Sequence, residues 1–139
     1  MSLRKPTRSV LFKRLKKECH RLWSLAVRRR DKKCILCQSI HGLNAHHWIV
    51  HARGSLATRF LVLNGVTLCY ACHIYKVHGR GDAETFDIIK EYMKRYLHEQ
   101  RYFEIKQLGH GIAKMTVEDL QKIESGLRIM AGCERGLIF

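Results

Sequence analysis

The sequence predicts a mostly helical α+β fold, in which a small unit with two strands is flanked by helices on both sides. Three segments repeat apolar residues at spacings of three and four, the pattern of an amphipathic helix, and they lie at residues 7–30, 82–106 and 116–130. Two short apolar runs between them are bounded by turn residues and predict strands. At 139 residues, the chain has the usual length of a single compact domain.

The first predicted element is a basic helix over residues 7–30. Its apolar stripe, which we expect to pack into the core, comprises Leu11, Leu15, Cys19, Leu22 and Ala26. Lys and Arg cover much of the remaining surface, including Lys13 and the run of Arg28, Arg29 and Arg30. This basic face is expected either to lie along a phosphate backbone or to be an ordinary solvated surface.

The central elements are two strands and a short helix. The strands are predicted over residues 44–51 and 60–68, and the pair Asn64-Gly65 is a turn signal. The helix is predicted over residues 70–77 and begins at the second of two Cys-x-x-Cys pairs.

The C-terminal part is predicted to contain two helices. The first spans residues 82–106 and is followed by Gly109, a residue that favours helix ends. The second spans residues 116–130, where Thr116 and Asp119 have the spacing of a capping box.

The charge is distributed unevenly over three parts of the chain. These parts are an N-terminal basic helix at residues 1–33, a core at residues 34–81 that contains both Cys-x-x-Cys pairs, and a helical extension at residues 82–139. The first two parts hold 17 Lys and Arg and two acids, whereas the extension holds nine Lys and Arg and ten acids. We therefore expect DNA or RNA to bind the first two parts, with a solvated face or an anionic membrane contact as alternatives.

The sequence predicts an intracellular protein without a membrane span. It contains no run of 18 apolar residues, and its first 30 residues lack the apolar stretch of a signal peptide. In a reducing compartment, cysteines more often bind metals than form disulfides. The nearly neutral extension could also form a homodimer interface.

Four cysteines form two Cys-x-x-Cys pairs, Cys34/Cys37 and Cys69/Cys72, separated by 31 residues. Each pair can supply two of the four soft ligands that a structural zinc requires. A zinc bound to all four thiolates would join the two ends of the intervening segment, so its binding would stabilise the fold. The alternative is a set of buried thiols without a metal.

Three histidines lie near these cysteines in the sequence. His46 and His47 are adjacent, and adjacent residues on a regular strand point to opposite faces. We therefore expect one of them to bind a metal ion and the other to act as a base. His73 follows Cys72 directly and could meet the pair across a hairpin.

The order of these residues resembles the HNH nuclease motif within a zinc-knuckle frame. The resemblance rests on His-His-Trp-Ile at residues 46–49, on Asn64, and on Leu-Cys-Tyr-Ala-Cys-His at residues 68–73. Ala-Thr-Arg-Phe at residues 57–60 is similar to the phage NinG-type recombination nucleases. The resemblance covers residues 34–78 and implies a ββα-metal core, in which a hairpin is followed by a helix.

The resemblance also implies a role for individual residues. His47 would be the general base, and Asn64 would bond the backbone that keeps this base oriented. His46 and His73 would bind one divalent cation, for which Mg, Mn, Ni, Co or Zn are candidates. Many members of the family have a further histidine four residues after the His73 position, whereas here His78 comes fifth and is expected to contact phosphate instead.

Several residues are candidate DNA contacts. Near the predicted site they are His51, Arg53, Arg59 and His78, and on the first helix they are Lys13 and Arg28 to Arg30. Each could hold a phosphate, the usual positioning contact of such side chains, and an ordinary surface position is the alternative.

The sequence therefore predicts a metal-dependent endonuclease that hydrolyses DNA phosphodiester bonds. Residues 32–81 contain no carboxylate, which argues against a two-metal carboxylate mechanism in this segment. The resemblance points to a phage-encoded protein in the host cytoplasm, with a role in recombination, junction processing or packaging. The alternatives are a non-catalytic zinc-stabilised DNA-binding module and a zinc-stabilised structural protein.

Overall fold

The computed structural model describes residues 4–49, 58–79, 83–109 and 114–133, and within them it has a mostly helical α+β fold. This confirms the predicted fold class. The elements in chain order are α1 (Arg8–Asp31), β1 (Leu43–His47), a 3-10 helix (Val62–Asn64), β2 (Gly65–Cys69), a π-helix (Cys72–Gly79), α2 (Ala83–Leu97), α3 (Glu99–Leu108) and α4 (Val117–Met130). None of the helices described is long and apolar enough to cross a membrane.

Helix α1 is close to the helix that the sequence predicts. The Thr7 hydroxyl caps its first turn by accepting a hydrogen bond from the Val10 N–H, and Lys32 ends it in the left-handed conformation at φ 64°. Its buried residues are Leu15, Cys19, Leu22, Trp23, Ala26 and Val27. They form the first core together with Phe60 and the buried face of α4.

Helix α4 confirms the prediction over residues 116–130. Thr116 and Asp119 form the predicted capping box, in which each side chain accepts a hydrogen bond from the backbone N–H of the other residue. Leu120 and Leu127 pack against α1, and the Cys19 thiol donates a hydrogen bond to the Leu120 carbonyl at 3.5 Å. Cys19 is therefore a core residue, as its place on the apolar stripe predicts.

The two strands form an antiparallel hairpin that is shorter than predicted. In its register His46 is opposite Val66 and His47 is opposite Gly65. Of the strand predicted over residues 44–51, the part described is paired only to His47. The start of the strand predicted over residues 60–68 is instead a turn and a 3-10 helix, so this part of the prediction is wrong.

The turn forms because backbone hydrogen bonds close it locally. The Leu61 N–H donates to the Thr58 carbonyl, and the Asn64 N–H donates to the Leu61 carbonyl. Gly65 then begins β2 in an extended conformation at φ −124° rather than in a left-handed turn. A Cβ at this position would collide with Val27 and lie 2.9 Å from the Trp23 indole, so the glycine permits close contact between β2 and α1.

The single helix predicted over residues 82–106 is two helices, and this prediction is wrong. The break is at His98, whose φ of 61° is incompatible with a continuous α-helix. Helix α2 buries Met93 and Leu97, whereas α3 buries Tyr102, and all three join a second core with β2. Leu97 and Tyr102 are five residues apart, so in one straight α-helix their side chains would lie on different faces. The break at His98 allows both to pack into the same core.

The end of α1 is bonded to the start of β2 through a buried ion pair. The Asp31 side chain is 3% exposed, and its carboxylate accepts hydrogen bonds from the Arg30 guanidinium and from the Thr67 N–H at 2.9 Å. Arg30 also donates to the carbonyls of Val62 and Gly65. One charged pair therefore connects the helix, the 3-10 turn and the strand.

We expect Asp31→Ala to destabilise the fold by about 3–5 kcal/mol, because it leaves the Arg30 charge and the Thr67 N–H without their partner. The control is Glu118→Ala, which removes an exposed pair with Arg8 and should cost far less, because solvent screens an exposed pair. Denaturant unfolding at a fixed zinc concentration measures both changes. Equal effects for the two variants would contradict the structural role of Asp31.

Candidate metal centres and catalytic cleft

The four cysteines of the two Cys-x-x-Cys pairs lie together, as the sequence predicts. All four sulfur atoms are within 4.8 Å of one another, and the sulfurs of Cys37 and Cys69 are 3.5 Å apart. Four thiolates around a tetrahedral zinc would lie about 3.8 Å from each other, since each Zn–S bond is about 2.3 Å. Cys34, Cys69 and Cys72 are buried and Cys37 is exposed. The cluster is compatible with a structural zinc.

Backbone hydrogen bonds shape the first cysteine pair. The Gln38 N–H donates to the Cys34 carbonyl, and Gln38 itself has a left-handed φ of 64°. The Ile35 N–H donates to the Thr67 carbonyl and attaches this turn to β2. The Cys34 sulfur is therefore held against the strand that ends in Cys69.

The environment of Cys34 favours its thiolate form. Burial raises the pKa of its thiol, but hydrogen bonds from the backbone of Cys37, Cys69 and Leu36 outweigh that effect and lower the pKa to about 7. Thiolates are the form that binds metal ions, so Cys34 is suited to bind one near neutral pH, whereas burial raises the pKa of the Cys72 thiol and opposes its ionisation.

A second cluster consists of His46, His73 and His78. Their candidate ligand nitrogens all lie within 4.8 Å of one another, and the Nε2 atoms of His73 and His78 are 3.0 Å apart. The sequence assigned His46 and His73 to one cation and His78 to phosphate. The structure places all three imidazoles together, so His78 is a third candidate ligand that the sequence analysis did not assign.

The π-helix explains how His78 reaches this cluster. In an α-helix, residues five apart lie on different faces, because each residue rotates by about 100°. In a π-helix the backbone hydrogen bonds connect residues five apart, so such residues share a face. The π-helix runs from Cys72 to Gly79 and therefore places His73 and His78 side by side.

His46 is suited to act as a neutral ligand. It lies on β1 and is 7% exposed. Its burial, followed by the proximity of His73, His78 and His47, lowers the pKa of its imidazole to about 4. A neutral imidazole carries the lone pair that a metal ion requires.

We expect His78→Ala to weaken the binding of Mn²⁺ or Co²⁺ at least tenfold, because it removes one of three ligands from the histidine cluster. The measurement is calorimetric titration of protein whose thiol cluster is already saturated with zinc. The control is His41→Ala, which changes an exposed histidine outside the cluster. An affinity unchanged by His78→Ala would mean that His78 is not a ligand.

His47 points away from this cluster and is held by different contacts. Its ring stacks on Trp23 of α1, with centroids 3.8 Å apart and planes within 6°. Its Nε2 lies 2.8 Å from the Arg59 carbonyl, which can only accept a hydrogen bond. Nε2 therefore carries a proton in this arrangement, and in the neutral ring the lone pair is on Nδ1.

Asn64 holds the backbone beside this contact. It is fully buried, and its side-chain amide accepts a hydrogen bond from the Ile49 N–H at 2.9 Å and donates to the Thr58 carbonyl at 3.2 Å. Thr58 directly precedes Arg59, whose carbonyl contacts His47. Asn64 therefore holds the backbone of Thr58, next to the carbonyl that contacts His47.

One cleft of about 440 Å³ is lined both by the histidine cluster and by His47. Its lining residues are His20, Ala45, His46, His47, Arg59, His73 and His78. The Arg59 Nε is buried and has no hydrogen-bond partner among the residues described. Arg59 lines the cleft, so its guanidinium charge favours an anion such as phosphate there.

The remaining predicted DNA contacts are placed differently. Lys13 and Arg29 are exposed on α1. Arg28 donates to the Ser24 carbonyl, and Arg30 is occupied by the ion pair and the backbone carbonyls described above, so we do not carry Arg30 forward as a phosphate contact. His51 and Arg53 lie outside the described residues.

Two residues of α1 contribute to the surroundings of His47, and the sequence analysis did not assign them to the site: His20 lines the cleft, and Trp23 lies buried behind His47. Trp23 supplies the surface on which His47 stacks, and its indole N–H donates to the Leu61 carbonyl at 2.8 Å. The His20 ring lies 5.6 Å from Trp23 and 6.0 Å from His47, measured between ring centroids. His20 and Trp23 are three residues apart on a helix and therefore share a face. This spacing is the sequence pattern from which their proximity could have been predicted.

Comparison with known proteins gives no assignment. No protein-family model, curated protein or solved structure matches the chain. The residues of the two clusters and the cleft are therefore the basis for proposing a function.

Proposed function

We propose that the protein is a metal-dependent endonuclease of the HNH type that hydrolyses phosphodiester bonds in DNA. One observation carries the proposal: a single cleft combines three clustered imidazoles with a fourth that is held separately. The three imidazoles of His46, His73 and His78 suit a divalent cation, and His47 suits proton transfer. Neither a DNA-binding module nor a structural protein requires this combination.

In the proposed reaction, His47 accepts a proton from the attacking water. The stack on Trp23 fixes the plane of its ring, and the Arg59 carbonyl fixes the proton on Nε2. The neutral ring then receives the water proton at Nδ1. Asn64 acts as a positioning residue, because it holds the backbone that carries this carbonyl.

The other residues of the cleft bind the phosphate and its charge. A divalent cation bound to the three imidazoles would stabilise the charge on the phosphate and on the leaving oxygen. The Arg59 guanidinium, which lines the cleft, is the proposed contact for a phosphate oxygen. Imidazole ligands suit Mn²⁺, Co²⁺, Ni²⁺ and Zn²⁺, and the absence of carboxylates from residues 32–81 favours one cation over two.

The thiol cluster would stabilise the backbone next to the histidine cluster. A zinc held by Cys34, Cys37, Cys69 and Cys72 would connect the turn after α1 with the start of the π-helix. His73 follows Cys72 directly, so the zinc would fix the backbone of a proposed catalytic ligand. We therefore assign the thiol cluster a structural role and the histidine cluster a catalytic one.

DNA is the proposed partner because the positive charge lies on the same part of the chain as the cleft. Lys13, Arg28 and Arg29 are proposed phosphate contacts along α1. Phage recombination, junction processing or packaging is the proposed setting, and it rests on the sequence resemblance alone. A homodimer through the C-terminal helices would allow two strands to be cut and is tested by sedimentation.

The direct test is a cleavage assay on supercoiled, linear and four-way DNA with added Mg²⁺, Mn²⁺, Co²⁺, Ni²⁺ or Zn²⁺. We expect cleavage that depends on the added ion and leaves 5′-phosphate and 3′-hydroxyl ends. Salt-sensitive DNA binding without cleavage under any ion would instead support the non-catalytic zinc-stabilised module.

A further inference from the structure

A second cavity, of about 280 Å³, adjoins the proposed catalytic cleft. It lies between the end of the hairpin and the pair of helices α2 and α3. His46 lines both cavities, so the second one begins at a proposed ligand of the catalytic ion. A group bound there would lie beside the reacting phosphate.

The walls of this second cavity are aromatic and apolar. Trp48 stacks on Tyr102, with ring centroids 4.9 Å apart and an interplanar angle of 17°, and Tyr102 is only 2% exposed, so the accessible aromatic surface comes from Trp48 and Phe86. The Trp48 N–H is already donated to the Leu63 carbonyl, so its indole contributes only apolar surface. Phe86 also lines the cavity and is 42% exposed, although it is a large apolar side chain.

Two lysines complete the lining. Lys90 follows Phe86 by four residues and therefore lies on the same face of α2. Lys106 comes from α3, and both lysines are exposed. No acidic residue lines the cavity among the residues described. An apolar, aromatic site flanked by two lysine ammonium groups suits a planar ligand with an attached anionic group.

We propose that this cavity binds an unpaired nucleobase of the DNA substrate, with Lys90 and Lys106 contacting the adjoining phosphates. This inference rests on the proposed function, because a nucleobase next to His46 places its own phosphate in the cleft. Aromatic side chains bind bases by stacking without regard to sequence. An unpaired base enters such a site more readily than a paired one, since it has less stacking and pairing to lose.

A nucleobase fits this cavity better than a second copy of the chain does. A stable protein interface requires a patch of roughly 800 Å² on each partner. This cavity is a small recess, and lysines are depleted at the centre of protein interfaces. The proposed nuclease would then prefer bulged or branched DNA to a continuous duplex.

The test compares two duplexes that carry 2-aminopurine at the same position, unpaired in one and paired in the other. Without added catalytic ion, we expect the protein to bind the unpaired form about tenfold more tightly and to quench its fluorescence through stacking. Phe86→Ala should remove both the preference and the quenching and leave binding of the paired duplex unchanged. Lys106→Gln should weaken the preference, and Ile88→Ala, at an exposed position on α2 outside the cavity lining, should retain it.

Equal affinity of the wild-type protein for the two duplexes would overturn the proposal. A preference for the unpaired base that survives Phe86→Ala would also overturn the proposal. So would the finding that Phe86→Ala dissociates a dimer and leaves the base preference unchanged. Cleavage is scored separately with added Mn²⁺ or Mg²⁺. If the base preference is present and no DNA is cut, the nuclease proposal fails and the base-binding site stands.

Discussion

Replacement of His47 by alanine is expected to reduce DNA cleavage by about 10²–10⁴-fold, the usual contribution of a general base. The variant removes the imidazole that stacks on Trp23 and donates to the Arg59 carbonyl, but it leaves the three clustered imidazoles in place. DNA affinity and metal content should therefore stay close to those of the wild-type protein. Single-turnover cleavage at saturating enzyme separates the chemical step from binding.

Two further measurements make the His47 result specific. His41→Ala, at an exposed position outside the cleft, should cleave as the wild-type protein does. Asn64→Ala should lower cleavage and also stability, because the Ile49 N–H and the Thr58 carbonyl lose their buried partner. Unchanged cleavage by His47→Ala would remove His47 from the mechanism even if other variants are inactive.

Replacement of Cys72 by serine is expected to abolish zinc binding and to unfold the hairpin with its π-helix. Structural zinc contributes about 10–16 kcal/mol of binding free energy in small metal-folded units. The whole stability of a typical domain is only about 5–15 kcal/mol, so loss of the zinc should be comparable with it. The measurements are the zinc-to-protein ratio and thermal unfolding monitored by circular dichroism.

The matched control for this variant is Cys133→Ser. Cys133 is partly buried and lies outside the thiol cluster, so this change should preserve zinc content and cause little destabilisation. Removal of zinc from the wild-type protein by a strong chelator should reproduce the effect of Cys72→Ser. A fully folded, metal-free Cys72→Ser protein would contradict the structural role of the cluster.

The parts of the fold that the sequence predicted correctly depend on local signals. Helix α1 follows its apolar stripe, and α4 begins at the capping box of Thr116 and Asp119. The close approach of the four cysteines was also predictable, because their spacing is tied to the tetrahedral geometry of zinc. For the two helices, neighbouring residues alone contain the information. For the cysteines, each Cys-x-x-Cys pair is local, and the need of a structural zinc for four ligands relates the two pairs across 31 residues.

The parts that were predicted wrongly depend on contacts between distant residues. Nothing near His98 in sequence marks the left-handed conformation that separates α2 from α3, because the break serves the packing of Leu97 and Tyr102 in one core. The stack of Trp23 on His47 joins residues 24 positions apart in sequence. Neither follows from periodicity or from residue type.

The five-residue separation of His73 and His78 has a consequence for how such sites diversify. Lengthening a helix by one residue normally rotates everything beyond it, yet the wider turn between Cys72 and Gly79 absorbs the additional residue locally. A descendant or ancestor that lacks one of the four intervening positions could keep both imidazoles in place with an ordinary turn. Two chains could therefore hold a pair of imidazoles in the same arrangement although their histidines are spaced differently in sequence.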